Sequence, residues 1–478
     1  MKKPLRVMKF GGTSVGDASC IARVAEIVLD ASRESPVIVV VSAMSGVTNR
    51  LVEAATRSKS GEHDEVSSIF QALRKQHETA LGALVRSEEK RARLAESLEK
   101  IFAEGERLCK GTALLQELTP RTLDSISSLG ERLSAPMVAA ALDEIGARSE
   151  AIDATEVIVT DSFHGGADPL MDRTRERSQA RLLPLLQAGT VPVVTGFFGA
   201  SEDGVLTTLG RGGTDYSATI LGAALGADEI IIWTDVEGVL TADPRLVPDA
   251  RTIPEISYRE ATELAYFGAK VLHPKTLRAV VQAGIPVWIR NSFAPGRTGT
   301  KITPQGRSNG GGVKALTAIP DVALISIGGP EIVGVPDVVG RTFSTTAEVR
   351  ANVLLISQSS SQNEICFIVS AADAKRTVKA LRKEFAQDVA HEKVEHITVD
   401  PNIAIVAVIG ENMRGTPGVA GRTFGALGRE NVNIIAIAQG SSESNISFVV
   451  AEKDMKTALV AAHREFALGA PSASAKGS

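Results

Sequence analysis

Cysteine is scarce in this chain, and long apolar runs and an excess of one charge are absent as well. The three cysteines among 478 residues, Cys20, Cys109 and Cys366, are too few and too widely spaced for a disulfide framework or zinc-ligand spacing. Lys and Arg number 52 against 56 Asp and Glu, so a net charge of −4 offers no general attraction to nucleic acid or anionic lipid. No apolar run reaches the roughly 18 residues of a membrane span, and no apolar signal core follows Met1. We therefore expect a cytoplasmic protein that binds neither nucleic acid nor membranes.

Length and hydrophobic pattern predict several folded domains. At about 150 residues per domain, the 478 residues correspond to about three domains. Residues 37–41 form a wholly apolar run of the kind found in buried parallel strands. The segment before it carries apolar residues at helical spacing, at Ile21, Val24, Ala25, Val28 and Leu29. Strand and helix signals alternate until residues 285–291, so we predict a three-layer α/β/α domain with a mainly parallel sheet over residues 1–293.

Two segments interrupt this alternation. Residues 57–110 are rich in Glu, Arg, Lys, Ala and Leu and predict two amphipathic helices inserted into the α/β domain. Residues 294–313 contain six glycines and two prolines, which predicts a linker over residues 294–318. We expect the sheet of the first domain to end before this linker.

An internal repeat follows the linker. GVPDVVGRTF at 334–343 matches GTPGVAGRTF, and ISQSSS and EICFIV have counterparts in IAQGSS and NISFVV, at one constant offset of 81 (417 − 336). Each copy has the pattern strand, helix, strand, hairpin, strand, helix, which is typical of a ferredoxin-like α+β unit. We predict two such domains at residues 319–400 and 401–468, followed by a flexible tail at 469–478.

Several loops at predicted strand ends carry chemistry. Lys9 and the glycines of KFGGTS suit a phosphate group, although a turn with a solvent-directed lysine would have the same sequence. The hydroxyl-rich SAMSGVTN after the second strand allows ligand contacts or ordinary helix capping. The P-loop pattern GxxxxGK[ST] is absent, and GRGGTD lacks the third glycine of a dinucleotide fingerprint.

Two further loops complete the set of candidates. Arg211 and Asp215 flank paired glycines four residues apart, a spacing that suits a clamp for a carboxylate and an ammonium group or a structural pair that caps a helix. WTDVEGV and TADPR follow a strand at the edge where open α/β sheets bind ligands. The lysine of FGAKVLHP is placed to face a nucleotide, whereas we expect His273 to be a packed or capping residue.

Seven blocks in this order, KFGGTSV, SAMSGVTN, SLGERLSA, TTLGRGGTDYSA, WTDVEGV, TADPR and FGAKVLHP, resemble the aspartate kinase family of the amino-acid kinase superfamily. The C-terminal repeats resemble the paired ACT domains of that family. Because the sequence ends after the second repeat, we expect a monofunctional enzyme rather than a fusion with homoserine dehydrogenase.

The resemblance implies roles for individual residues. Lys9 and Asp215 are implied as catalytic residues. The implied contacts to the amino-acid substrate are Ser42, Thr48, Glu131, Arg211 and Asp215, with Glu131 and Asp215 at the ammonium group and Arg211 at the carboxylate. The implied nucleotide contacts are Lys9, Gly11, Gly12, Thr13, Thr234, Asp235, Leu240, Arg245, Lys270 and Val271. Leu240 stands where the family often has tyrosine, and no metal ligands on the protein are implied.

The implied reaction is phosphorylation of the β-carboxylate of L-aspartate by ATP with Mg²⁺, the first step towards lysine, threonine and methionine. Gln358 and Gln439 are implied effector contacts, with threonine favoured over lysine; strand-end hydrogen bonding is their structural alternative. Asp337 stands where the family usually has glycine, as at Gly418. A homodimer or larger assembly through the ACT domains is also implied. The alternatives are a kinase for another acidic amino acid and a silent nucleotide or amino-acid sensor.

Overall fold

The chain forms two compact units in a computed structural model. The structure describes residues 3–268, 272–307, 312–329, 336–358, 364–411, 413, 416–438 and 444–469. The first unit comprises Met1–Val239, Pro254–Tyr258 and Val271–Gly306, and the second comprises Leu240–Ile253, Arg259–Lys270 and Arg307–Ser478. The predicted domain boundaries stay a prediction, although the two segments 240–253 and 259–270 join the second unit and not the first.

An eight-stranded sheet forms the centre of the first unit. Its strands are β1 (Arg6–Phe10), β2 (Val37–Val41), β3 (Ser149–Ile152), β5 (Val191–Thr195), β8 (Glu229–Thr234), β9 (Glu255–Ser257), β10 (Val287–Asn291) and β11 (Thr300–Thr303). The order across the sheet is β3-β5-β2-β1-β8-β10-β11-β9, and every neighbouring pair is parallel except β10 with β11. A small second sheet contains β4 (Val159–Thr160), β6 (Phe198–Ser201) and β7 (Leu206–Thr208). The mainly parallel α/β domain predicted from the sequence is confirmed.

The expectation that the sheet ends before residue 294 is wrong. The Gly- and Pro-rich stretch after β10 includes a reversal of the chain, and β11 returns antiparallel to β10 with Ile289 opposite Thr300. Gly299 at the end of this reversal has φ +75°, a conformation that L side chains rarely adopt. Because glycine and proline mark hairpin turns as well as linkers, composition does not distinguish the two here.

Helices cover the first unit's sheet. They are α1 (Ala18–Glu34), α2 (Val47–Lys59), α3 (His63–Leu84), α4 (Glu88–Leu115), α5 (Pro120–Ser127), α6 (Leu129–Glu144), α7 (Met171–Gln187), α8 (Gly213–Leu225) and α10 (Pro274–Val281). The buried face of α1 contains Ile21, Val24, Ala25 and Val28, as its apolar spacing predicts. All five residues of β2 are buried, as expected for an inner parallel strand.

The two long helices α3 and α4 occupy most of the range 57–110 and belong to the core. Phe70 and Phe102 are buried in the same apolar cluster as the residues of β1 and β2. At Gly105 of α4, a β-carbon would lie 2.6 Å from Leu129 Cδ1 and 2.9 Å from Phe70 Cε1, so the helix approaches its neighbours closely there. These helices therefore stabilise the first unit and position α6.

The second unit contains a six-stranded antiparallel sheet and the repeat. Its elements are α9 (Tyr258–Tyr266, which begins in the first unit), β12 (Ala315–Gly328), α11 (Pro336–Glu348), β13 (Val353–Gln358), β14 (Glu364–Ser370), α12 (Ala371–Glu384), α13 (Ala386–Ala390), β15 (His396–Ile409), α14 (Val419–Arg429), β16 (Ala436–Ala438), β17 (Asn445–Ala451) and α15 (Met455–Glu465). The order of strands is β13-β14-β12-β15-β17-β16. Each repeat has the order strand, helix, strand, strand, helix, which confirms the predicted α+β units.

Side-chain contacts repeat with the same offset as the sequence. Phe343 packs edge-on against Phe367 at 5.7 Å, and Phe424 packs against Phe448 at 5.8 Å. Arg341 lies 4.6 Å from the ring of Phe385, and Arg422 lies 4.6 Å from the ring of Phe466. All four residues of the first repeat have their counterparts 81 positions later (424 − 343). The repeat is therefore structural as well as sequential. Among the helices that the structure describes, none has the length and apolar character of a membrane span.

Candidate functional site

A buried lysine and a carboxylate meet above the central strand of the first unit. Lys9 lies on β1, the strand between β2 and β8, and its Nζ is 2.5 Å from Asp215 Oδ1 in the first turn of α8. The side chains are 10% and 17% exposed, so the pair is largely shielded from water. Both residues implied as catalytic by the sequence resemblance therefore lie in direct contact, 206 positions apart (215 − 9).

The loop after β1 holds its backbone close to the Lys9 ammonium group. A β-carbon at Gly11 would lie 3.3 Å from Lys9 Nζ, and one at Gly12 would lie 3.2 Å from the carbonyl oxygen of Ala43. Glycine therefore allows the loops after β1 and β2 to approach one another beside the lysine. A buried lysine next to glycine backbone suits a phosphate group and differs from the solvent-directed lysine of a simple surface turn.

Glu131 on α6 provides a second, unusual carboxyl group in this region. The residue is 3% exposed, and its Oε1 accepts a hydrogen bond from the Ala43 N–H at 3.1 Å. Burial raises the pKa of Glu131 to about 8, although the Ala43 hydrogen bond and the charge of Lys9 act in the opposite direction. Its Oε2 has no hydrogen-bond partner among the described residues. A buried oxygen without a partner is costly, so this atom is suited to receive a cationic ligand group.

The glycine-rich loop before α8 presents Arg211. Gly210 and Gly212 have φ +78° and +74°, and a β-carbon at Gly212 would lie 2.6 Å from His273 Cβ. Arg211 between them is exposed, and the N-terminus of α8 follows at Gly213. A guanidinium group beside a helix N-terminus is a favourable environment for a carboxylate. The alternative, in which Arg211 caps a helix through Asp215, is not observed, because Asp215 pairs with Lys9 instead.

Other predicted residues lie at the same edge of the sheet. Thr234 ends β8, and its carbonyl oxygen accepts hydrogen bonds from Ser292 N–H at 2.9 Å and Ser292 Oγ at 3.2 Å. Ser292 Oγ in turn lies 2.8 Å from Ser14 Oγ in the loop after β1. Asp235 follows directly and accepts from the Thr234 hydroxyl at 3.2 Å. The loops that contain the predicted nucleotide residues of this unit are thus hydrogen-bonded to one another.

The loop after β2 holds the predicted residues Ser42 and Thr48. The Ser42 N–H donates to the carbonyl oxygen of Phe10, and Thr48 lies in the first turn of α2. The cap of α2 is Gly46, with φ +79° and no side-chain capping bond, so the capping alternative for this loop is not supported. His273, in contrast, caps α10 by accepting from the Lys275 N–H, as we expected.

Six predicted contacts lie in the second unit or outside the described residues. Leu240 and Arg245 belong to the second unit, where Leu240 bridges to Thr252 and Arg245 pairs with Asp243 at 2.6 Å. Lys270, Val271, Gln439 and the side chain of Gln358 lie outside the described residues. Their roles as nucleotide and effector contacts stay predictions.

One residue of the site was not predicted from the sequence. Phe197 has φ +76°, a strained conformation for a side chain of this size, and its N–H donates to Ser217 Oγ at 3.0 Å on α8. A β-carbon at Gly213 would lie 3.0 Å from the carbonyl oxygen of Phe197. The sequence carries no signal for this strain, because Gly196 and Phe197 lie inside the apolar run VPVVTGFFG and the positive φ is seen only in the structure.

The two protein families that this chain matches cover separate parts of it. Residues 4–291 match the amino acid kinase family, and residues 325–385 and 406–466 match the ACT domain. Aspartokinase 1 of Arabidopsis thaliana is 34% identical over 96% of this chain and 80% of its own length. A bifunctional aspartokinase/homoserine dehydrogenase of the same plant is 36% identical over 97% of this chain, and the chain spans about half the length of such bifunctional relatives (51% in this case).

Solved structures show the same architecture. E. coli aspartokinase III in complex with aspartate and ADP has 32% identity and a TM-score of 0.80, with 96% of this chain and 99% of that chain covered. The same enzyme in complex with lysine and aspartate has 31% identity and a TM-score of 0.79 over 97% and 99% of the two chains. The fold of the first unit is that of the amino acid kinases. The chain belongs to the aspartokinase family within them.

Proposed function

We propose that this chain transfers the γ-phosphoryl group of ATP to the β-carboxylate of L-aspartate, with 4-phospho-L-aspartate and ADP as products. The observation that carries the proposal is the contact of Lys9 with Asp215 in the same buried region as Glu131 Oε2, for which the described residues provide no hydrogen-bond partner. These groups offer a cation for phosphate and a carboxyl group for an ammonium ion at one edge of the sheet. The bound aspartate and ADP of E. coli aspartokinase III support this choice of substrates.

The chemistry requires positioning more than proton transfer. A β-carboxylate has a reference pKa of about 3.9, so it is an ionised nucleophile at neutral pH without a general base. Its oxygen attacks the γ-phosphorus while the bond from that phosphorus to the ADP oxygen breaks. Lys9 is placed to stabilise the charge on the transferring group, and Asp215 holds the ammonium group of Lys9. Arg211 would bind the α-carboxylate of the substrate, and Glu131 would bind its ammonium group.

ATP would enter with Mg²⁺ bound to its phosphates. Mg²⁺ in such sites is coordinated mostly by substrate phosphates and water, with one or two protein carboxylates at most. The residues present fit this arrangement, since the glycine backbone at Gly11 lies close to the Lys9 ammonium group and both would face the phosphates. Bound Mg²⁺ would neutralise phosphate charge, and the protein would orient the two substrates.

We extend the proposal to regulation by an end-product amino acid at the ACT repeats, with threonine favoured over lysine. The glutamine-containing blocks of the two repeats support an amino-acid effector, and the bound lysine of E. coli aspartokinase III shows that a relative binds one. The proposed place of the reaction is the first step towards lysine, threonine and methionine, in the cytoplasm.

The proposal includes a homodimer or larger assembly through the ACT sheet. Ile356 on β13 and Ile437 on β16 occupy equivalent positions in the two repeats, and they are 52% and 46% exposed. Exposed apolar side chains on the end strands of a sheet favour pairing with another chain. Size-exclusion chromatography with light scattering tests this: a protein that is only monomeric at micromolar concentration would refute the assembly.

A coupled ADP-release assay tests the catalytic proposal. Purified protein receives Mg-ATP with L-aspartate, with added threonine or added lysine, and with L-glutamate in place of aspartate. We expect aspartate-dependent ADP release that threonine lowers. Inhibition by lysine but not by threonine would support the kinase activity and overturn threonine as the favoured effector. Turnover with glutamate only would indicate the other acidic amino acid, and no turnover with either acid would indicate a silent sensor.

A further inference from the structure

A buried carboxylate outside the reacting groups joins three segments of the first unit. Asp124 on α5 is 2% exposed. Its carboxylate accepts hydrogen bonds from the Thr208 hydroxyl at 2.5 Å and from the Gly165 N–H at 3.1 Å, and it lies 2.8 Å from His164 Nδ1. Thr208 ends β7, and residues 164–165 belong to the loop between β4 and α7. A buried carboxylate with this many partners has a definite position, because each lost bond would leave a buried group unsatisfied.

One side of this junction leads to Glu131. Asp124 precedes Glu131 by seven positions (131 − 124), and only Ser128 separates α5 from α6. The Ser128 N–H donates to the Asp124 carbonyl oxygen at 3.1 Å, so the two helices are joined without a flexible segment. Fixing Asp124 therefore fixes the start of α6 and the buried carboxyl group of Glu131.

The other side leads to Arg211. The Ala167 N–H donates to the Thr208 carbonyl oxygen at 2.8 Å, which holds the loop to β7. A β-carbon at Gly210 would lie 3.1 Å from the Gly165 carbonyl oxygen and 3.3 Å from Gly166 Cα. The loop that Asp124 holds is therefore packed directly against the turn that presents Arg211. Lys275 Nζ donates to the Gly166 carbonyl oxygen at 3.3 Å and supports the loop from α10.

We infer that Asp124 is a positioning residue that holds Glu131 and Arg211 as one rigid clamp for the α-carbon end of the substrate, and thereby selects the length of the substrate side chain. The inference rests on the proposed function, in which Glu131 binds the ammonium group and Arg211 the α-carboxylate. With that end fixed, the distance to Lys9 determines which ω-carboxylate reaches the phosphoryl group. Glutamate carries the same charged groups as aspartate on a side chain longer by one methylene, a difference that a rigid pocket discriminates by roughly 10- to 200-fold.

The test compares Asp124→Asn and Thr208→Val with wild type. Asp124→Asn places an amide against the Gly165 N–H, and Thr208→Val removes one donor at nearly constant volume. We expect the KM for aspartate to rise about tenfold or more and the preference for aspartate over glutamate to fall by a similar factor, while the KM for ATP changes by less than about twofold. We expect Thr208→Val to change the KM for aspartate and the preference for aspartate in the same direction, by a smaller factor. It provides the test if Asp124→Asn does not fold.

Asp143→Asn is the control for replacing a hydrogen-bonded carboxylate at an exposed position. Asp143 on α6 also accepts two hydrogen bonds, from Ser149 N–H at 3.0 Å and Ser149 Oγ at 3.1 Å, and neither leads to the clamp. We expect it to behave as wild type. If wild type is active and the Asp124 and Thr208 variants keep its KM for aspartate and its selectivity, the positioning role is wrong. It is also wrong if the KM values for aspartate and ATP change in parallel. A wild type without aspartate-dependent turnover overturns the proposed function itself, and the inference falls with it.

Discussion

Each unit of the molecule contains a buried lysine–carboxylate pair. In the first unit Lys9 lies 2.5 Å from Asp215, and in the second Lys314 lies 2.7 Å from Glu260. The exposed fractions of the side chains are 10% and 17% for the first pair and 5% and 0% for the second. By distance and burial alone the two pairs would be assigned the same role.

Their surroundings differ. Glu260 Oε2 pairs with Lys314, and its Oε1 accepts from the Glu411 N–H at 3.0 Å, so the pair joins α9 to the residue before β12 and to the second residue after β15. Beside Lys9, the Oε2 of Glu131 has no partner in the described ranges of the chain. A complete set of hydrogen bonds is typical of a structural pair, whereas a buried group left without one is suited to a ligand. This difference supports the proposed catalytic role of the first pair and indicates a structural role for the second.

The largest expected effect is on turnover, from Lys9→Met. Removal of the cation leaves the charge on the transferring phosphoryl group without its protein partner, so we expect kcat to fall by about 10³-fold or more. The ADP-release assay measures this, with far-ultraviolet circular dichroism as the check on folding. Lys314→Met is the matched control, since it removes a buried lysine of the second unit. A folded Lys9→Met variant with at least a tenth of wild-type kcat would contradict the assignment.

Lys314→Met is expected to act on stability. It leaves Glu260 buried without its cation, which typically costs about 3–5 kcal/mol of unfolding free energy. The double variant Lys314→Met/Glu260→Gln removes the remaining charge and should recover much of that loss. Both tryptophans, Trp233 and Trp288, lie in the first unit, so their fluorescence reports that unit while circular dichroism reports both.

Urea unfolding observed with these two probes separates the units. We expect Lys314→Met to move the circular dichroism transition of the second unit to lower urea and to change the tryptophan transition less. Equal stability of the single variant and wild type would remove the structural role of the Lys314–Glu260 pair. A single variant and a double variant of equal, reduced stability would show that the loss does not come from the charge that remains on Glu260.

The pH dependence of stability sharpens the comparison for Glu131. Its pKa is about 8 in the folded protein and about 4.5 in the unfolded chain, so between these values the folded protein holds a proton that the unfolded chain has lost. Folding then takes up a proton, and stability falls as pH rises from about 5 to 8, by about 1 kcal/mol for each pH unit. Glu131→Gln removes this titration.

Ligand-free wild type and Glu131→Gln are compared by tryptophan fluorescence in urea at pH 5 and pH 8. We expect similar stability at pH 5 and a more stable variant at pH 8. Glu260→Gln, followed by circular dichroism because Glu260 lies in the second unit, is the control with the opposite behaviour, since it breaks a pair and lowers stability at both pH values. Parallel pH profiles for wild type and Glu131→Gln would show that Glu131 is ionised in the folded protein throughout this range.

Much of this site was predictable because its residues follow parallel strands. The carboxyl ends of such strands meet at one edge of the sheet, so the motifs after β1, β2 and β8 had to be neighbours. The ACT repeat was predictable from its constant offset, which Phe343 and Phe424 reproduce in their ring contacts. In both cases the pattern in the chain follows a regular spatial arrangement.

The remaining features depend on contacts between distant parts of the chain. The hydrogen bond from Thr208 to Asp124 spans 84 positions, and nothing near either residue indicates it. The raised pKa of Glu131 comes from burial by neighbouring elements, and the left-handed conformation of Phe197 is imposed by the backbone next to α8. A single sequence shows which groups are present, whereas desolvation and strain arise only when they are packed together.

An exposed ion pair is the opposite case to the two buried pairs, and we expect its removal to have the smallest effect. Lys100 and Glu96 on α4 lie 2.9 Å apart, but their side chains are 73% and 71% exposed. Their hydrogen bond lowers the pKa of Glu96, so whatever stability it adds is present at neutral pH and is lost as pH falls through that lowered value. Water and salt screen such a pair, and holding both side chains costs rotamer entropy. We expect Glu96→Gln to leave the urea midpoint at pH 7 unchanged within error. A shift as large as that of Lys314→Met would show that burial does not govern the strength of these ion pairs. The stabilising role given to the Lys314–Glu260 pair because of its burial would then have no physical basis.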